Sequence, residues 1–294
     1  MKNSIKKIFL GASVAVSFSA IATNSAWAGT LKPTNIQFNT DNFQTYNGTN
    51  IGDISQADQA EAIQALTDDD LYTNVELWAF GEQVLDNVGF SANLGSHQVS
   101  VESVTAADWA IFGQQWLDEF LGAYNLTNVL TGSQYQQALG VLTTQGLARS
   151  GDPNVSNLTL NEETGEIEIG LIGHYDLNTM FNNPATFASW VTDPMMLTVK
   201  SFIDLGFISG PIQMSEVAKV TIDGVVNWAY SFSAEQTNVL AVDSSDNSSH
   251  SGYFTKSFYV DPQEPSEKVP EPSALLALIA VGSVFATRRQ FKKA

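Results

Sequence analysis

The chain of 294 residues carries 31 acidic against 13 basic residues, a formal charge of −18 at neutral pH, and no cysteine. The missing thiol excludes disulfides, thiolate metal centres and cysteine nucleophiles. The acidic balance opposes nucleic-acid phosphates and anionic lipid headgroups, so nucleic acid is not an expected partner.

The first 28 residues read as a secretory signal. Lys2, Lys6 and Lys7 precede an apolar run over 8–22, and Ala26-Trp27-Ala28 places small residues at the two positions a signal peptidase needs. Cleavage is expected between Ala28 and Gly29. This leader and the tail from Val269 hold seven of the basic residues and one acid, Glu271. The body between them keeps 6 basic and 30 acidic residues, a formal charge of 6 − 30 = −24. Such a surface stays soluble by self-repulsion and favours neutral glycans, cations or basic proteins as partners.

Three helices carry start signals in the first half of the body. Ser55 with Asp58 forms a capping-box pattern opening a helix to about Thr67. Thr105 with Asp108 opens another to about Tyr124, in which Trp109, Phe112, Trp116 and Phe120 recur at three- and four-residue steps as an inward stripe. A third is expected from a Ser133 cap to Gly146, with Tyr135, Leu139 and Leu142 inward.

Strands are expected elsewhere. Residues 98–104 alternate valine with polar residues, 157–161 and 166–173 flank a Glu-Glu-Thr-Gly turn, and 219–222 and 225–232 flank Asp223-Gly224, a two-residue hairpin signal. With helices in the first half and hairpins in the second, the expected class is α+β: one compact, helix-rich then antiparallel domain over 29–260.

Candidate chemistry is sparse. His97, His174 and His250 fit no zinc pattern; His174, beside Tyr175 and Asp176 at a strand end, marks His174 and Asp176 as candidate binding residues, or as a hydrogen-bonded strand terminus. Asp152, Asn154, Ser156 and Glu163 fall at positions 1, 3, 5 and 12 of a calcium-loop pattern, but Asn157 stands where glycine is usual and the alternating Leu158 and Leu160 favour a strand instead. Asp68-Asp69-Asp70 opposes a helix C-terminal dipole, so it is a solvated turn or is neutralised by a cation. Gly89-Phe-Ser-Ala-Asn lacks the second glycine of a nucleophile elbow, and the pairs Glu166/Glu168 and Asp118/Glu119 belong on wet faces. Trp78, Trp190 and Trp228 remain as platforms for a sugar ring. No catalytic constellation is visible.

The body ends in a Pro- and charge-rich linker, 261–272, followed by fifteen apolar or small residues, 273–287, and a basic end, 288–294. Fifteen residues make a helix of about 22 Å against a bilayer core of about 30 Å. The span is therefore marginal as a permanent anchor. Arg288 and Arg289, with Lys292 and Lys293, would hold the terminus at the cytoplasmic face.

Pro270, Glu271 and Pro272, the short apolar span and Arg288-Arg289 together resemble the PEP-CTERM sorting signal of exported bacterial proteins. The resemblance implies transient inner-membrane retention, recognition and cleavage by an exosortase, and delivery to the cell surface or extracellular matrix, where extracellular polysaccharide is an expected partner. Within the body, SVTAADW (103–109), GDPNVSNL (151–158), TGEIEIGLIGHYD (164–176), SEVAKVTIDGV (215–225), YSFSA (230–234) and SHSGYF (249–254) resemble a cyanobacterial PEP-CTERM family without an assigned activity. That family implies a sorting route and no catalytic residues. An extracellular, carboxylate-dependent glycan hydrolase is the alternative expectation.

Overall fold

The computed structural model describes residues 29–48, 54–77, 86–147, 150–178, 197, 200–201, 203–208, 210–241 and 250–261. The leader, Trp78, Trp190 and the sorting residues Pro270, Glu271, Pro272, Arg288 and Arg289 lie outside them, as do Ala26 and Ala28. Among the described residues the elements in chain order are β1 (Thr30–Leu31), β2 (Thr34–Phe38), β3 (Gln44–Tyr46), β4 (Ile54–Gln56), α1 (Gln59–Ala65), β5 (Asn74–Glu76), β6 (Gly89–Leu94), β7 (His97–Glu102), α2 (Ala106–Ala123) and α3 (Gly132–Gln145). They continue with β8 (Asn154–Asn161), β9 (Glu166–His174), β10 (Met214–Ser215), β11 (Ala218–Ile222), β12 (Val225–Ala229), β13 (Glu235–Ala241) and β14 (His250–Tyr259).

This corrects the expected α+β class with a helix-rich first half. The described residues form two antiparallel sheets, ordered β13-β14-β9-β8-β5-β3-β4, with β1 on β8 and β10 on β9, and β12-β11-β7-β6-β2. Seven of the strands precede α2. Apart from β7, expected over 98–104, they show no clear period in the sequence, because several are two or three residues long, as in Gln44-Thr45-Tyr46 and Asn74-Val75-Glu76. One apolar residue or none cannot display a period of two.

The sheets are held face to face by one core. Val75, Val155, Leu158, Leu160, Ile167, Ile169 and Phe254 from the larger sheet meet Phe90, Leu94, Val99, Val101 and Val220 from the smaller. The Asp223-Gly224 turn forms as expected, with φ of +49° and +83°, the left-handed geometry that matches the twist of a two-residue hairpin. His97 Nδ1 lies 2.6 Å from Asp223 Oδ2, and Gln98 N–H donates to Asp223 Oδ1, so the turn is clasped to the neighbouring β6–β7 hairpin.

A second core joins the helices to the sandwich. The stripe on α2 is buried as expected, and Phe112 stacks on Trp228 of β12 at 4.3 Å. That contact removes Trp228 from the set of free sugar platforms. Thr105 caps α2 reciprocally with Asp108, whereas Asp58 rather than Ser55 caps α1 and Thr131 rather than Ser133 caps α3. Ser55 is instead paired in β4 with Thr45. Gly146 ends α3 at φ +76°, and a Cβ there would stand 2.6 Å from Trp109 Cδ1. Only glycine accommodates both demands.

Candidate functional site

The polar ends of four strands line up at one end of the larger sheet. In an antiparallel ladder directly paired residues share a face. Gln56, Gln44, Glu76 and Asn154 pair in succession, forming a polar row across β4, β3, β5 and β8. The intervening face carries Thr45, Val75 and Val155, and it is this face that meets the core.

The row is a hydrogen-bond relay ending on a carboxyl group. Gln56 Nε2 donates to Gln44 Oε1 at 2.6 Å, and Gln44 Nε2 donates in turn to Tyr46 Oη at 2.9 Å and to Glu76 Oε2. Tyr46 Oη donates to the same Glu76 oxygen at 2.8 Å. One strand over, Asn154 Nδ2 donates to Asn74 Oδ1 at 2.8 Å. Asn154 Oδ1 and Ser150 Oγ are buried and make no hydrogen bond in the structure.

Further acids reach this end through loops. Leu77 N–H donates to the Pro153 carbonyl, which sets Asp152 beside the end of β5, and Val217 N–H donates to the Ser150 carbonyl, which brings Glu216 to the same segment. Glu216, buried, has Oε1 3.3 Å from His250 Nε2, and the His250 ring stacks on His174 at 4.7 Å. Met214 of β10 pairs with His174, and β10 approaches so closely that a Cβ on neighbouring Gly173 would lie 2.8 Å from the Met214 carbonyl. Burial first, then the Asp152 and Glu216 carboxylates, push Glu76 up to about 8; the bonds from Gln44 and Tyr46 only partly offset this. A carboxyl group that keeps its proton near neutral pH, beside other carboxylates and imidazole, has the ingredients of acid–base chemistry.

The sequence-predicted residues divide accordingly. Asp152, Asn154 and His174 belong to this end. Ser156 lies further along β8, and Glu163 sits in the turn beyond the opposite end of that strand. The strand favoured over the calcium-loop pattern forms as β8: seven steps of strand separate Asn154 from Asn161, about 23 Å at 3.3 Å per residue, so positions 1 and 12 of that pattern lie far apart. Among the described residues no three His, Asp or Glu side chains are grouped to hold a metal ion. Asp176 accepts from the N–H groups of Asn178 and Ile212, so it closes the chain after β9. The Asp68–Asp70 run resolves into a turn in which Asp68 accepts from Thr73 Oγ1 and Asp69 pairs with Lys32, whose ammonium is the neutralising cation.

Glu76, Glu216, Gln44, Tyr46 and His250 were not singled out by sequence. The one usable signal was a lone acid within an apolar stretch, Asn-Val-Glu-Leu-Trp for Glu76 and Met-Ser-Glu-Val-Ala for Glu216. Such an acid is either on a wet face or buried with partners.

No family model, curated protein or solved structure matches the chain. Among the described residues no helix is long and apolar enough to cross a membrane.

Proposed function

We propose that the chain is an exported cell-envelope or extracellular-matrix protein, delivered by its leader, retained briefly at the inner membrane by residues 273–287, and released when an exosortase-type enzyme cleaves near Pro270-Glu271-Pro272. Its work is surface interaction, with extracellular polysaccharide as the expected partner. The observation that carries this reading is the order of triplet, short apolar span and arginine pair. Two prolines fix φ and remove two amide donors, a composition that disfavours a helix through the triplet and suits recognition by a processing enzyme. The strongly acidic body supports a destination in solvent rather than against an anionic surface.

Peptide mapping of the protein recovered from cells with and without the processing enzyme tests this. Loss of the peptide containing Arg288 and Arg289 only when the enzyme is present is expected. Secreted material that retains both arginines overturns the processing route.

A second reading, a carboxylate-dependent glycan hydrolase, is favoured by one observation: Glu76, raised to about 8 by burial and by the Asp152 and Glu216 carboxylates, is paired across the ladder with Asn154, whose buried amide oxygen makes no hydrogen bond within the fold. Glu76 would be the proton donor to the leaving oxygen and one of the neighbouring carboxylates the nucleophile or base. Reducing-end release from envelope polysaccharide, lost at least about 100-fold in Glu76→Gln and falling above about pH 8 in the wild type, is the expected result. Equal release by both proteins removes this reading.

A further inference from the structure

The two processed ends of the body leave the fold at one place. Gly29, the residue after the expected leader cleavage, accepts at its carbonyl from Glu162 N–H at 3.0 Å, and Thr30 and Leu31 pair with Asn161 and Leu160. At the other end of the body, Tyr259 pairs with Glu166, and Val260 N–H donates to the Gly165 carbonyl at 2.9 Å. Both ends therefore flank the turn at 162–165 between β8 and β9. The Glu76 cluster lies where those strands finish, since Asn154 pairs with both Glu76 and Ile172, and His174 pairs with Met214.

We infer that, while the tail is in the membrane, the 162–165 turn is the face offered to the bilayer and its processing enzyme, and the end holding Glu76, Asp152 and Glu216 points away from it. This rests on the membrane-retention reading above. The turn itself carries exposed Glu162 and Glu163, with Glu166 beside them, a surface that anionic headgroups repel. The linker relieves that repulsion. Its twelve residues, 261–272, reach at most about 37 Å when extended at 3.1 Å per residue, several times the screening length of about 8 Å at physiological salt. The acidic turn can thus stand clear of the membrane while the triplet remains at its edge, and the length of the linker acquires a physical purpose.

The cysteine-free chain permits a direct test with the full protein in vesicles of phosphatidylcholine and phosphatidylglycerol. Single cysteines replace exposed Glu163 at the turn, or exposed Gln236, which pairs with Gly252 and through it lies level with Gly173 at the far end. Each is labelled with a donor dye, and energy transfer to an acceptor lipid is measured. Transfer from Glu163→Cys at least about twofold stronger than from Gln236→Cys is expected, because the two sites differ by about 23 Å along β9. Equal transfer, or stronger transfer from Gln236→Cys, in protein that floats with the vesicles overturns the orientation and leaves membrane retention standing. Protein that does not float with the vesicles overturns the retention reading instead, and the orientation with it.

Discussion

Tyr46 Oη donates to Glu76 Oε2 at 2.8 Å, tying a phenol on β3 to a carboxyl group on β5 across the polar face of the larger sheet. Through this contact a residue from the second short strand of that sheet supports the acid that dominates the candidate site.

The first prediction concerns pH. Glu76 titrates at about 8 in the fold against an ordinary 4.5, so between those values the native state holds a proton that the unfolded chain has released. Stability then falls as pH rises through that window, by about 1.4 kcal/mol per unit at most for a single group. Urea denaturation at pH 5.5 and pH 8.5 should show a loss of a few kcal/mol at the higher pH. Glu76→Gln should flatten that slope and be the more stable protein at pH 8.5; an unchanged slope would show that Glu76 is not the titrating group.

The His97–Asp223 clasp has the opposite sign. The hydrogen bond from His97, then that from Gln98 N–H, hold Asp223 below its ordinary 3.8. Its contribution is complete above that value and is lost as pH falls through the lower folded one. Because Asp223 is exposed, Asp223→Asn, which tolerates the positive φ, should cost less than about 1 kcal/mol at pH 7. The variant should also lose less stability between pH 5 and pH 3 than the wild type, as read from thermal melts.

Gly146→Ala combines two penalties, a left-handed backbone and a Cβ 2.6 Å from Trp109 Cδ1. A loss of about 2 kcal/mol or more is expected. Since the clash falls on a buried indole, the intrinsic fluorescence maximum should shift as the ring moves, whereas Gly140→Ala, in the interior of the same helix with open space around it, should leave the spectrum unchanged and raise stability by about 0.5–1 kcal/mol.

Helix α2 offers a contrast between neighbouring turns. Trp116 is fully buried between Phe120 and Phe232, and Ile111 is 74% exposed. Trp116→Ala should cost about 3–5 kcal/mol and Ile111→Ala less than about 0.5 kcal/mol in denaturant melts. Similar costs for both would mean that a partner covers Ile111.

Features whose physics is local were legible in the amino-acid order. The Thr105–Asp108 cap, the aromatic stripe of α2, the Leu158/Ile169 hairpin and the Asp223-Gly224 turn each depend on residues within a few positions of one another, and each forms as expected. The sandwich and its polar end arise from contacts between residues far apart in the chain. Three-residue strands such as Asn74-Val75-Glu76 gain their conformation from the ladders on either side, and Glu76, Asp152, Glu216 and His250 come together only because β5 and β10 end, and β8 and β14 begin, at the same end of the sheet. No spacing along the chain records that the carboxylates of residues 76 and 216 act on each other, because the free energy that brings their segments together belongs to the closed core beneath.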